Sequence, residues 1–149
     1  MKPTKQVLLL LLTAACGALL HAEPPPDKPK APATLYERIG GQPAIDAAVE
    51  LFYKKVLADE RVNHFFEDVN MKKQRAKQKA FLAAALGGPV PWKGKDMRKA
   101  HANLDLRESD FNAIAEHLHA TLAELKVDER LINEVMTVVG SVKDQVLNK

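Results

Sequence analysis

From residue 34 to residue 149 the apolar residues recur three and four positions apart, and no stretch alternates apolar with polar residues as a half-buried strand would. A chain with that period throughout buries its apolar seams by packing helix on helix, so the expected class is all-α around one core. Thr34 and Glu37 have the spacing of a capping box and open a short helix that Gly40-Gly41 ends. A helix over about 43–57 follows, with a seam of Ile45, Val49, Phe52 and Val56. The turn 61–66 carries Phe65 and Phe66. Asn70 caps a helix that runs to Leu86 and stops at Gly87-Gly88-Pro89. A loop with Pro91 and Gly94 leads to a short helix over about 96–103. Two longer helices, about 109–125 and 128–147, close the chain. Their seams are Phe111, Ile114, Leu118, Leu122 and Leu125, then Leu131, Val135, Val139, Val142 and Val146.

The residues before this region read differently. Met1–Lys5 is a basic start, Val7–Leu20 is apolar, and Leu20-His21-Ala22 precedes a cut before Glu23, the layout of a secretory signal over 1–22. The apolar run is shorter than the roughly 20 residues of a spanning helix, which disfavours an uncleaved anchor. Cys16, the only cysteine, follows Thr13-Ala14-Ala15, so a second reading is a lipoprotein signal that ends before Cys16 and leaves a lipid tether. Without Cys16 the chain has no thiol for a disulfide or a thiolate ligand. Residues 23–33 hold Pro24, Pro25, Pro26, Pro29 and Pro32 and form an extended, semi-rigid spacer. Export to the periplasm is the expectation, with a membrane partner only if Cys16 is lipidated.

Charge narrows the partners. The formal +3 includes Lys2 and Lys5 of the leader, where there is no acid; the remainder holds 20 Lys and Arg against 19 Asp and Glu. A nucleic-acid surface needs a concentrated basic patch. The run Lys72, Lys73, Arg75, Lys77 and Lys79 reads as a solvated helix face, so no nucleic-acid partner is expected.

The informative positions are polar residues in apolar seams. On the helix 70–86, Met71, Phe81, Leu82 and Ala85 share a side, and Gln74 and Gln78 fall on it at i+3 and i+7 from Met71. A buried amide without a partner costs about 1–3 kcal/mol. These two amides bond to each other or to a loop carbonyl, sit at a wet edge, or face a cavity whose ligand accepts a hydrogen bond. Met97, His101 and Leu104 stand at i, i+4 and i+7, which puts His101 on an apolar stripe as a satisfied core residue or as a metal ligand. His21 leaves with the leader and His64 lies in a turn. His117 and His119 point about 200° apart on one helix, so they cannot share a metal. No His-x-x-x-His pair or cysteine cluster is present, which argues against zinc. There is no Gly-rich phosphate loop and no nucleophile elbow.

Six segments together carry a resemblance: Leu-Tyr-Glu-Arg-Ile-Gly-Gly (35–41), Phe-Tyr-Lys-Lys-Val-Leu-Ala-Asp (52–59), Phe-Phe (65–66), Lys-Gln-Lys-Ala-Phe-Leu (77–82), Ala-Leu-Gly-Gly-Pro (85–89) and Met-Arg-Lys-Ala-His (97–101). In their order and spacing the chain resembles the group I truncated haemoglobins over roughly 35–147. The resemblance implies a truncated globin domain over 34–149, a two-over-two helical sandwich enclosing haem b. It implies His101 as proximal iron ligand and Tyr53, Gln74 and Gln78 as distal-pocket donors. It also implies Phe66 as the aromatic wedge, Phe81, Leu82 and Met97 as pocket lining, and Lys77 near a haem propionate. Trp92 departs from the smaller aromatic residue common at its position, and an export leader is unusual for such a family. The implied function is reversible binding of oxygen, nitric oxide or carbon monoxide. A second reading is a nitric oxide dioxygenase, which needs an electron donor; a cytosolic reductase could not reach it in the periplasm. A haem-free helical binding module at the envelope is a third.

Overall fold

The computed structural model describes residues 31–149. The leader and most of the spacer, on which the export and lipidation readings rest, lie outside the described residues. Seven α-helices and one 3-10 turn follow among the described residues: α1 (Leu35–Arg38), α2 (Gly41–Ala58), the turn Asn63–Phe66, α3 (Met71–Ala85), α4 (Met97–His101), α5 (Glu108–Glu124), α6 (Glu129–Ser141) and α7 (Lys143–Val146).

The helix ends obey local chemistry. Thr34 Oγ1 accepts from the Glu37 N–H at 3.2 Å while Glu37 Oε2 accepts from the Thr34 N–H at 2.9 Å, which is the expected capping box. Asn70 Oδ1 accepts from the Lys73 N–H at 3.0 Å and starts α3. At its far end the Gly88 N–H donates to Ala83 O and the Gly87 N–H to Ala84 O, a Schellman closure. Gly87 has φ 87°, and a Cβ on Gly88 would lie 2.6 Å from Ala83 O, so neither position takes a side chain at low cost.

Helix α2 packs on both α3 and α5, and α5 packs on α6. Two helix pairs therefore share one core, the two-over-two arrangement. The core consists of Ile45, Val49, Phe52, Tyr53 and Val56 of α2 with Leu82, Leu86, Leu118, Leu122, Ile132 and Val135. Burying each large apolar side chain contributes about 1.5–3 kcal/mol.

Two expectations need correction. The single helix expected over 128–147 is broken at Val142, which has φ −100° and ψ 1°. Gly140 weakens the helix there, and Ser141 Oγ donates to Val138 O at 2.6 Å, a local bond that competes with the helical ladder. The seams also shift. Ile132 rather than Leu131 is fully buried on α6, and Leu125 is 37% exposed at the end of α5.

Ion pairs tie the layers at their ends. Arg38 of α1 grips Glu134 of α6 through two bonds of 2.6 Å, and Lys55 of α2 meets Glu124 of α5 at 2.5 Å. Beyond the end of α2, Asp59 accepts from Arg61 and from His117 Nε2 at 2.6 Å, and Arg61 reaches Glu116 at 3.2 Å. The Asp59 and His117 side chains are only 14% and 16% exposed.

Arg61 first, and His117 after it, hold the Asp59 carboxyl well below the usual carboxylate range. A depressed folded-state value gives stabilisation that is complete above the ordinary aspartate value of about 3.9 and is lost as pH falls below it. Asp59→Asn should melt below the parent at pH 7, and the gap should narrow steadily under about pH 4. Thermal melts with the same gap at pH 7 and pH 3 would contradict this linkage.

Candidate functional site

His101 ends α4, a helix started by Asp96, whose Oδ1 accepts from the Lys99 N–H at 2.8 Å. The His101 Nδ1 lies 2.7 Å from Met97 O. A carbonyl can only accept, so Nδ1 carries a ring hydrogen, and in the neutral ring Nε2 is left with the lone pair. This is the tautomer of a metal-ligating imidazole whose other nitrogen is held by the protein. The ring is half-buried, and Nε2 makes no hydrogen bond among the described residues.

A second group is assembled by α2, the 3-10 turn and α3. Tyr53 is 2% exposed. Gln74 Nε2 donates to Tyr53 Oη at 3.1 Å, so neither of the local partners considered for Gln74 is the one it finds. Because Gln74 supplies the hydrogen to this bond, the phenol hydrogen remains available to a further acceptor. The Phe66 ring stands edge-on to Tyr53 at 5.7 Å. Gln78 is half-buried one turn beyond Gln74. Burial pushes the Tyr53 phenol above its ordinary pKa, and the Gln74 bond and the Arg75 charge draw it back.

Phe81 and Trp92 join α3 to the loop. Their rings meet edge-on at 5.7 Å, and Trp92 Nε1 donates to Lys95 O at 2.9 Å. Met97 is half-buried, and its carbonyl holds His101. Leu82 is buried and, with Ile45, Leu86, Leu118 and Leu122, lines an apolar cavity of about 200 Å³. Lys77 is exposed and has no ion-pair partner within 4 Å among the described residues.

The basic run on α3 is not uniformly solvated. Lys72, Lys73 and Lys77 are exposed, but Arg75 and Lys79 turn toward α2 and both meet Glu50. Sequence reasoning missed Arg75 because its charge matches the run around it. The only available signal was its place beside Gln74.

A family model for the bacterial-like globins matches residues 34–148. The chain is 49% identical over 118 residues to a group 1 truncated hemoglobin of Tetrahymena pyriformis, spanning 79% of this chain and 98% of that protein. It is 51% identical over 122 residues to one from Synechocystis, spanning 78% and 98%. Among solved structures, the Fe(III) form of the Tetrahymena pyriformis truncated hemoglobin has a TM-score of 0.76 at 49% identity, covering 78% of this chain and all 100% of that one. Three single-replacement forms of that protein, one at a tyrosine and two at glutamines, are similar with a TM-score of 0.76. A 2/2 hemoglobin of Synechococcus with covalently attached heme has a TM-score of 0.75 at 51% identity, covering 78% and 100%.

The loop between α3 and α4 closes by folding the indole onto Gly94, where a Cβ would lie 2.0 Å from Trp92 Cζ2. Gly94→Ala should displace the ring and, at this exposed position, lower stability by no more than about 1 kcal/mol. Trp92 is the single tryptophan, so fluorescence reads it alone. Its emission maximum should move to longer wavelength; unchanged emission together with an unchanged melt would show that the loop accepts a side chain.

Proposed function

This chain belongs to the bacterial-like globins, as a group I truncated haemoglobin, and we propose that His101 holds its haem iron while Tyr53 and Gln74 set its affinity for diatomic ligands. Haem-based binding of diatomic gases such as oxygen is the activity of the family to which it belongs. When bound, haem supplies an iron with one coordination position open to such a ligand.

The residues present fit that group. Among the described residues no three His, Cys, Asp or Glu side chains gather to hold a metal, so an iron here must bring most of its own ligands. A porphyrin would do so and would ask the protein for an imidazole ligand, the role that His101, held through Nδ1, suits. Met97, Phe66 and Phe81 offer half-buried apolar surface for the ring, and Lys77 offers an unpaired ammonium for a propionate. Leu82, buried in the core beside the apolar cavity, would contribute from behind this lining.

The observation that carries the reading is the bond from Gln74 to Tyr53 Oη. It fixes the phenol and leaves its hydrogen to donate into the pocket, with Gln78 as a second donor. The tyrosine and two glutamines replaced in the Tetrahymena pyriformis structures are spaced 21 and 4 positions apart, as are Tyr53, Gln74 and Gln78. Such donors favour a ligand that accumulates negative charge, which oxygen does more than carbon monoxide. Nitric oxide is a ligand of the same class; its turnover would require an electron donor as well. The leader over 1–22 supports a further part of the proposal, that the protein acts in the periplasm, or at the envelope if Cys16 is lipidated.

Absorption spectra of the reconstituted protein test the ligand assignment. His101→Ala should lose the Soret band or release haem readily, while His64→Ala, His117→Ala and His119→Ala should keep it. Loss in His117→Ala with retention in His101→Ala, at matched helicity, would reject it. Tyr53→Phe should release oxygen about 10- to 100-fold faster, the equivalent of about 1.5–3 kcal/mol for a hydrogen bond to a charged acceptor. Carbon monoxide release should change far less. An oxygen rate within about twofold of the parent in stopped flow, with a lowered melting temperature, would instead make Tyr53 a fold residue. Export predicts a mature form beginning near Glu23, or at Cys16 if lipidated, in a Gram-negative host; intact Met1 on cytosolic protein by mass spectrometry counts against it.

A further inference from the structure

Arg75 is joined to the distal group by geometry that its basic neighbours lack. Its guanidinium carbon lies 6.0 Å from the centroid of the Tyr53 ring, within the range of a cation–π contact. Its side chain is only 31% exposed, and Nε is out of contact with solvent and makes no hydrogen bond. That N–H sits 3.4 Å from Glu50 Oε2, while the other oxygen of Glu50 takes Lys79 Nζ at 2.9 Å. Lys79 also stands 3.8 Å from Asp46. A side chain that gives up a hydrogen bond at Nε to lie over an aromatic ring is placed for its charge rather than for its donors.

We propose that Arg75 is a positioning residue that strengthens Tyr53 as a hydrogen-bond donor to the diatomic ligand, and that Glu50 sets how much of the Arg75 charge Tyr53 feels. The inference rests on the reading of Tyr53 as the ligand-facing donor. A positive charge beside a buried phenol favours loss of its proton. A phenol that gives up its proton more readily is a stronger donor to a partly negative acceptor. Glu50 pairs with Arg75 at 3.4 Å and cancels part of that charge, so removing one partner of the ion pair or the other acts on Tyr53 with opposite sign. The groups facing this cluster are Asp46 and Glu50 from α2 and Gln74 and Lys79 from α3.

The opposite signs separate the proposal from a structural role. If the Arg75–Glu50 pair only pins α3 to α2, then Arg75→Met and Glu50→Gln both loosen that link, the second losing Lys79 as well, and both move every property of the site in the same direction. If the charge matters, they diverge. The first readout needs no diatomic ligand. The full chain labelled at tyrosine Cζ is titrated by NMR, with Tyr53→Phe identifying the Tyr36 signal. The Tyr53 phenol should titrate at higher pH in Arg75→Met, at lower pH in Glu50→Gln, and near the parent value in Arg75→Lys. The second readout is oxygen dissociation from the haem-loaded protein. It should be about 3- to 10-fold faster in Arg75→Met, slower than the parent in Glu50→Gln, and restored in Arg75→Lys, with carbon monoxide rates within about twofold. Melting temperatures recorded alongside show the structural cost of each change.

Titration shifts of the same sign in Arg75→Met and Glu50→Gln, or no shift in either, overturn the proposal. The donor reading of Tyr53 fails separately, when Tyr53→Phe leaves oxygen dissociation unchanged; the titration series still decides whether Arg75 controls the phenol.

Discussion

Helix α2 has to face two partners at once. It packs against α3 on one side and α5 on the other, and so six of its residues, Ile45, Ala48, Val49, Phe52, Tyr53 and Val56, are buried. A helix buried on one stripe needs fewer. This double burial orders the rest of the molecule. It fixes α3 relative to α5, and with α3 the line of Gln74, Gln78 and Phe81. It also makes Tyr53 a core residue that serves the proposed site, since the ring sits against Phe52 and Phe66 while the hydroxyl meets Gln74. Donor strength and core packing are thus built into one side chain.

Much of this was legible because the relevant forces are local. Thr34 with Glu37, Asn70, and Gly87-Gly88 act within five residues of themselves, and each marked a helix end where one is found. The alternation of seam and polar face gave the all-α class, and the six short segments pointed to the family. What stayed hidden was set by partners distant in the chain or by competition within a turn. The partner of Gln74 is 21 residues away on another helix. Arg75 and Lys73 carry the same charge two positions apart, and only the packing of α3 sends one of them inward to Glu50. His117 had no visible partner until the end of α2 brought Asp59 to it. The break at Val142 depends on one hydroxyl choosing a carbonyl three residues back, in a segment whose apolar period continues undisturbed.

The site divides into parts of different rigidity. Tyr53 and Gln74 stand on long helices that are pinned by the core and by ion pairs to α2. His101 stands on α4, five residues between two loops, and no residue of that helix is buried. Its internal supports are the Asp96 cap, the His101–Met97 bond, packing on α7 and the Arg98 bond to the Lys149 carbonyl. A short helix without buried side chains has little intrinsic stability.

The shallow seating of α4 gives the cofactor a thermodynamic role beyond chemistry. Anything that binds the ordered form and not the open one shifts the balance between them by mass action. An imidazole on a weakly held segment therefore converts ligation free energy into order of the segment itself. With His101 as the ligand, opening of α4 and its loops would become a function of haem concentration. Proteases cut opened segments in proportion to their population, so ligation at His101 would shield the α3–α4 connection from cleavage.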